Sequence, residues 1–172
     1  MSWFVVDVES DGPIPPEFSM ICFGAVLVEP GLNRTFYGEV APISARTNLA
    51  AAAISGICRA QHETFEDPAV VMARFAEWVQ ANTKGRPVLL SDNPAFDWQW
   101  INYYFHKYLD KNPFGYSARR IGDLYCGLTK NAYAQWKHLR KTKHDHNPVN
   151  DAKGNAEALL AMRDMGLQVT FQ

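Results

Sequence analysis

Three short stretches of this sequence carry residue types that together can do phosphate chemistry. The first is Asp7-Val8-Glu9, two carboxylates one residue apart at the end of an apolar run. In a strand, the period of two turns both toward the same face. Like charges that close raise each other's pKa unless a cation neutralises them, and hard oxygen donors suit Mg²⁺ or Mn²⁺. Standing alone, such a pair is also what a solvated strand end looks like. The second stretch is Asn93-Pro94-Ala95-Phe96-Asp97, where a short apolar run delivers the chain to a turn and Asp97 falls in the first turn of the next helix. A carboxylate is favoured there by the helix terminus whatever its function, and Asn93 reads equally as a turn former or as a partner of a ligand. The third is His146-Asn147-Pro148-Val149-Asn150-Asp151, an imidazole on a Pro-containing loop ahead of a carboxylate that opens the last helix. An imidazole titrates near neutrality and can take a proton from water, and His144 is as good a candidate on chemistry alone. Four carboxylates and a histidine are the donor set that two-metal phosphodiester hydrolysis needs, and their joint occurrence is far less expected by chance than any one motif.

The elements that must position these groups follow from the hydrophobic pattern. Residues 3–8 read as a strand ended by the turn Ser10-Asp11-Gly12-Pro13, residues 19–28 as a second, and residues 34–40 as a third, giving an antiparallel meander. From Asn48 the pattern turns to alanine-rich helix, and Asp67-Pro68 caps an amphipathic helix reaching about Ala81. Residues 87–90 read as a short buried strand and residues 95–108 as an aromatic helix. Residues 119–124 are expected as a further strand and residues 132–139 as a helix, followed by a polar loop over residues 141–148 and a last helix from about Asn150. The order βββ-α-β-α-β-α implies an α/β fold, one mixed central sheet flanked by helices, over a single domain of residues 1–172.

Composition narrows the partners. The chain has 172 residues, 47% hydrophobic and 13% aromatic, enough to bury one core. With 17 basic against 18 acidic residues the net charge is −1, so no global positive field attracts nucleic acid. Attraction must be local, from cations held by the carboxylates or from the basic run at residues 137–143, which also reads as a solvated helix end. Cys22, Cys58 and Cys126 are odd in number and lack metal or disulfide spacing, so a reducing cytoplasm is expected. No basic leader opens the chain and no apolar run approaches the roughly 18 to 20 residues that span a bilayer, so neither a signal peptide nor a membrane partner is expected.

In order and spacing, Asp7-Val8-Glu9-Ser10-Asp11-Gly12, the N-x-x-F-D of Asn93 to Asp97 and the H-x₄-D of His146 to Asp151 resemble the three motifs of the DEDDh 3′-5′ exonucleases. That group includes the proofreading subunit of bacterial DNA polymerase III, RNase T and oligoribonuclease. The resemblance implies an RNase H-like fold, two Mg²⁺ ions with Mn²⁺ able to substitute, and release of nucleoside monophosphates from a 3′ end. It implies that Asp7, Glu9, Asp97 and Asp151 are the ligands and, by family spacing, that His146 rather than His144 is the general base, with Glu9 beside it among the catalytic groups. The length and the stretch Ser19-Met20-Ile21-Cys22-Phe23-Gly24-Ala25-Val26 are similar to small bacterial exoribonucleases of the polyadenylate-specific RNase AS type. That implies single-stranded RNA as partner, a preference for adenine, and a homodimer. Ser10-Asp11 stands where Thr-Thr or a similar pair is common, a departure that lies beside the sugar and base contacts.

For substrate grip, Ser10, Asp11 and Gly12 are expected to offer backbone groups to the terminal nucleotide, where a contact to the 2′-OH would select RNA. Met20 is expected as an apolar wedge against the terminal bases, with Asn93 and Phe96 nearby. Phe96 and Trp100 stand four apart on a helix, a spacing that also reads as core. The metal chemistry does not distinguish sugars, so an exodeoxyribonuclease is the close alternative. A binding domain without catalysis is the alternative from another class, and the presence of all five catalytic residue types argues against it. A zinc or redox site lacks the necessary Cys and His spacing.

Overall fold

The computed structural model describes residues 1–169 and 171. The first apolar run forms β1 (Ser2–Ser10), whose Phe4, Val5 and Val6 are wholly buried. It lies at the centre of a five-stranded sheet of order β3-β2-β1-β4-β5. β2 (Met20–Leu27) and β3 (Thr35–Glu39) complete the expected antiparallel meander, while β4 (Pro87–Ser91) pairs parallel to β1 and β5 (Ala118–Arg120) parallel to β4. Because side chains alternate along a strand, β1 feeds two cores. Phe4, Val6 and Val8 pack with α3 (Pro68–Ala81) and α4 (Pro94–Leu109) through Phe75, Trp100, Tyr104 and Phe105. Trp3 and Val5 pack on the opposite face with α5 (Ile121–Thr129) and α6 (Pro148–Asp164) through Ile121, Ala152, Ala156 and Leu159. Asp7 and Glu9 continue the parity of Val5 and so face α6. The architecture is the mixed sheet flanked by helices that the sequence implies.

Local chemistry sets the helix starts. Asn48 caps α1 (Leu49–Ser55), its side-chain oxygen accepting from Ala50 N and Ala51 N. Asp67 accepts from Ala69 N at 2.7 Å ahead of Pro68 in α3, and Asn147 caps α6, which starts at Pro148, two residues before the point expected. Two expectations fail. The strand over residues 119–124 ends at Arg120, because Ile121, Leu124, Tyr125 and Leu128 have helical spacing and bury against the α6 core as α5. The helix over residues 132–139 is a loop with one 3₁₀ turn (Lys137–Leu139), since Trp136 is the buried anchor of a segment whose neighbours are exposed. A short helix, α2 (Arg59–His62), has no counterpart in the sequence reading. Among the described residues no helix is long and apolar enough to cross a membrane.

α6 crosses the sheet at one glycine. Gly24 is the register partner of Asp7, and a Cβ there would stand 2.4 Å from Pro148 C and Val149 N. The missing side chain lets the N-terminal turn of α6 descend onto the strand pair and brings Asp151 to Asp7. Gly24→Ala is therefore expected to cost about 1 to 3 kcal/mol of stability through overpacking and to cut activity more than about tenfold by displacing Asp151. Thermal melting and a steady-state assay check both halves.

Candidate active site

The four acidic groups reach the same end of the sheet on three elements. Asp7 and Glu9 come from the end of β1, Asp151 from the first turn of α6, and Asp97 from the first turn of α4. Ligand oxygens of Asp7, Glu9 and Asp151 all lie within 4.8 Å of one another. Asp97, buried, accepts a hydrogen bond from Val8 N at 3.0 Å, which ties the α4 terminus to the strand between the two β1 carboxylates. Asp151 accepts from Asp145 N and His146 N, each at 3.2 Å, so the same side chain that faces the site also shapes the loop before it.

Asp7, Glu9 and Asp97 resist ionisation. Burial, then the charges of Asp97, Asp151 and Glu9, push the Asp7 carboxyl well above the usual carboxylate range, and the Arg140 guanidinium offsets a part of this. Burial pushes Glu9 up to about 7, with His146 working against it and Asp151 with it. Burial likewise takes Asp97 to about 7, against the hydrogen bond from Val8 N. A cluster of hard oxygens that is unfavourable as bare anions is a fit for divalent cations, whose charge reverses the sign of the interaction.

Both histidines of the preceding loop border the cluster. His144 Nδ1 lies 2.7 Å from Asp151 Oδ2, and His146 Nδ1 lies 3.6 Å from Glu9 Oε1. Their rings meet edge to face at 4.4 Å, and both side chains are about half exposed. His146 adopts φ 62°, a left-handed conformation that turns the chain back into α6.

Beside the carboxylates opens a cleft of about 310 Å³ lined by Glu9, Ser10, Gly12, Pro13, Asn48, Ala51, Ile54 and Phe96. The structure thus brings Phe96, Ser10 and Gly12 to the site. Ser10 spends its hydroxyl on Gly12 O at 2.7 Å. Asn93 is exposed and makes no side-chain cap bond, its carbonyl instead accepting from Phe96 N and Asp97 N. Two expectations are corrected. Met20 is wholly buried among the core aromatics, because Met20 opens β2 on its inner face, and cannot wedge a base. Asp11 is also buried, and the backbone groups expected to meet the nucleotide are bonded within the protein: Asp11 N donates to Ser19 O at 2.9 Å and Asp11 O accepts from Asn48 N at 2.7 Å. Trp100 is core, as its spacing allowed. The basic run is partly consumed: Lys137 Nζ lies 2.7 Å from Asp92, and Arg140, which packs on the Trp136 ring 4.9 Å away, lies 3.7 Å from the same carboxylate. Sequence reasoning missed the α1 wall of the cleft, Asn48, Ala51 and Ile54. Its signal was apolar residues in a helix with little to bury them, and Ile54 is indeed 52% exposed. A larger cleft of about 560 Å³, between Trp3, Arg119 and Leu167, contains none of these carboxylates.

Comparison with known proteins agrees with this geometry. A curated relative from Escherichia coli, the 3′-5′ DNA exonuclease Cap18, is 37% identical over 166 residues, covering 88% of this chain and 86% of that protein. Among solved structures, the nuclease domain of 3′hExo, a DEDDh family member bound to rAMP, superposes with a TM-score of 0.79 at 19% identity over 99% of this chain and 96% of that one. E. coli exonuclease I in complex with a dA16 oligonucleotide gives 0.68 at 19% identity, covering 97% of this chain and 41% of that one. These two structural likenesses speak for the fold. The family model for the 3′-5′ exoribonuclease Rv2179c-like domain matches residues 3–162, and the chain belongs to that family of 3′-5′ exonucleases, which hydrolyse phosphodiester bonds.

Proposed function

We propose that this protein removes nucleoside monophosphates one at a time from the 3′ end of single-stranded RNA. Asp7, Glu9, Asp97 and Asp151 would hold two Mg²⁺ ions, with Mn²⁺ able to substitute, and His146 would be the general base. The observation that carries this is the packing of Asp7, Glu9 and Asp151 oxygens within 4.8 Å of one another, beside a cleft that Glu9 also lines. Divalent ions bound there supply positive charge to the phosphodiester and to the oxygen that leaves. The chain's own groups do the rest. The cleft between Ile54 and Phe96 takes the terminal base and sugar, and the Glu9 carboxylate orients His146 through Nδ1, leaving Nε2 to accept the proton of the attacking water. As the new P–O bond forms, the bond to the upstream 3′ oxygen breaks, and the shortened strand keeps that oxygen.

His146→Ala is expected to lower kcat by about 10² to 10⁴ with little change in KM, as removal of a general base does. His144→Ala should be the milder of the two, and the reverse ranking would exchange their roles. The family description supports ribose as the sugar, while the 37% identical relative, named a DNA exonuclease, supports deoxyribose as a second reading. Matched RNA and DNA strands, including oligo(A), assayed in competition separate them: faster loss of RNA sustains the proposal, and faster loss of DNA replaces it. Three free cysteines are compatible with action in a reducing cytoplasm. Resemblance supports the homodimer.

A further inference from the structure

The structure assigns Asp11 and Arg59 a positioning role: they clamp α1 at both ends and so hold the wall against which the terminal nucleotide seats. This rests on the proposed use of the cleft. α1 has seven residues and one buried side chain, Ala52, while Leu49 and Ile54 are 76% and 52% exposed. A helix so short does not hold its place by its own hydrogen bonds or by so little burial. Its ends are tied instead. Upstream, Asn48 N donates to Asp11 O at 2.7 Å. Downstream, just past the left-handed Gly56 that ends the helix, Arg59 reaches back with one guanidinium nitrogen 3.2 Å from Asp11 Oδ2 and another donating to Ser44 O at 2.9 Å.

The anchor itself is rigid. Asp11 is 1% exposed, its Oδ1 accepts from Ser19 N at 2.6 Å, and His62 Nδ1 lies 3.8 Å from Oδ2. His62, equally buried, lies with Nε2 3.2 Å from Met20 O, so α2 is fixed to the first residue of β2. An ion pair on the surface would hold little, but loss of one partner of a buried pair leaves the other uncompensated. Asp11 follows Glu9 by two residues, through a buried Ser10 whose hydroxyl is already bonded to Gly12 O. The distance between the α1 wall and the reacting carboxylates is therefore set by this clamp. Its loss should weaken grip on the terminal nucleotide without touching the groups that do the chemistry.

The experiment uses the full chain with wild type, Arg59→Ala, Arg59→Lys, Ile54→Ala and the Arg59→Ala/Ile54→Ala pair. Arg59→Ala is expected to raise KM for a single-stranded oligonucleotide about tenfold while kcat stays within about twofold, with Arg59→Lys in between. Ile54→Ala shortens the wall directly, and because Arg59 acts through that wall, the double variant should exceed Arg59→Ala by less than about twofold. In EDTA and without nucleic acid, amides of residues 49–55 should exchange with solvent at least about tenfold faster in Arg59→Ala, those of β1 remaining as in wild type. Unchanged KM, multiplying effects in the pair, a loss confined to kcat, or unchanged exchange at α1 would each overturn the clamp. A wild type that shortens no strand would instead overturn the proposed function, and the exchange measurement would still decide on the clamp.

Discussion

Asp7→Asn is expected to lower strand shortening more than about a thousandfold and, in the same protein, to raise the melting temperature measured in EDTA at pH 8. The two effects have one origin. Asp7 is pressed against Asp97, Asp151 and Glu9 in a buried site, and burial and these charges all oppose its ionisation. At pH 8 the unfolded chain carries that carboxylate at no cost, whereas the metal-free folded protein either bears an unfavourable charge or keeps a proton that solvent does not supply. An amide of the same shape removes the conflict. A gain of about 2 kcal/mol would lift the melting temperature of a domain this size by roughly 4 to 8 °C. The change also removes a donor from the metal-binding set, so added Mg²⁺ should stabilise the variant far less than the wild type. A variant that melts lower in EDTA, or that retains turnover, would show that Asp7 is not held in this electrostatic conflict.

The second large effect is on pH and metal together. Glu9 and Asp97, both lifted to about 7 with burial as the first cause, have folded-state pKa values above those of the unfolded chain, near 4. The sign is that of a raised acid. Below about pH 4 both states are protonated and the sites cost nothing. Between about 4 and 7 the unfolded chain sheds protons that the folded one keeps, so the contribution of these groups to stability falls as pH rises, and above 7 the whole loss is felt. Metal-free protein is therefore expected to lose on the order of a few kcal/mol from these groups between pH 5 and pH 8, roughly 10 °C in melting temperature. Mg²⁺ or Mn²⁺ at about a hundred times its dissociation constant should return close to 3 kcal/mol at pH 8 and much less at pH 5, where protons compete for the same oxygens. Melting curves with and without EDTA across that range check it. A metal effect of equal size at both ends of the range would mean that these carboxylates are not where the ion binds.

The legible parts of the site were those with a local rule behind them. A period of two placed Asp7 and Glu9 on one face, and helix-start chemistry placed Asp97 and Asp151 in first turns. The meander and the following parallel strand could be read from unbroken apolar runs. What escaped depends on contacts between distant residues. Nothing near Asp11 in the chain announces Arg59, 48 residues on, so a buried anchor read as a nucleotide contact. Met20 lies in the core because proximity to a motif in sequence does not decide which side of β2 a residue faces. β5 was overextended because three strand residues run directly into α5 without a turn signal between them. Gly24 looked like one more small residue in a strand, and only the crossing of α6 above it explains why a side chain is excluded.

The most direct test of the central claim is a single time course on one single-stranded RNA labelled at either the 3′ or the 5′ end, with Mg²⁺ or with EDTA, resolved at single-nucleotide steps. With Mg²⁺ the 3′ label is expected to appear first as a mononucleotide while the 5′-labelled strand shortens as a ladder, and EDTA is expected to stop both. Release of the 5′ label as the first product, or shortening that EDTA leaves untouched, would contradict that claim.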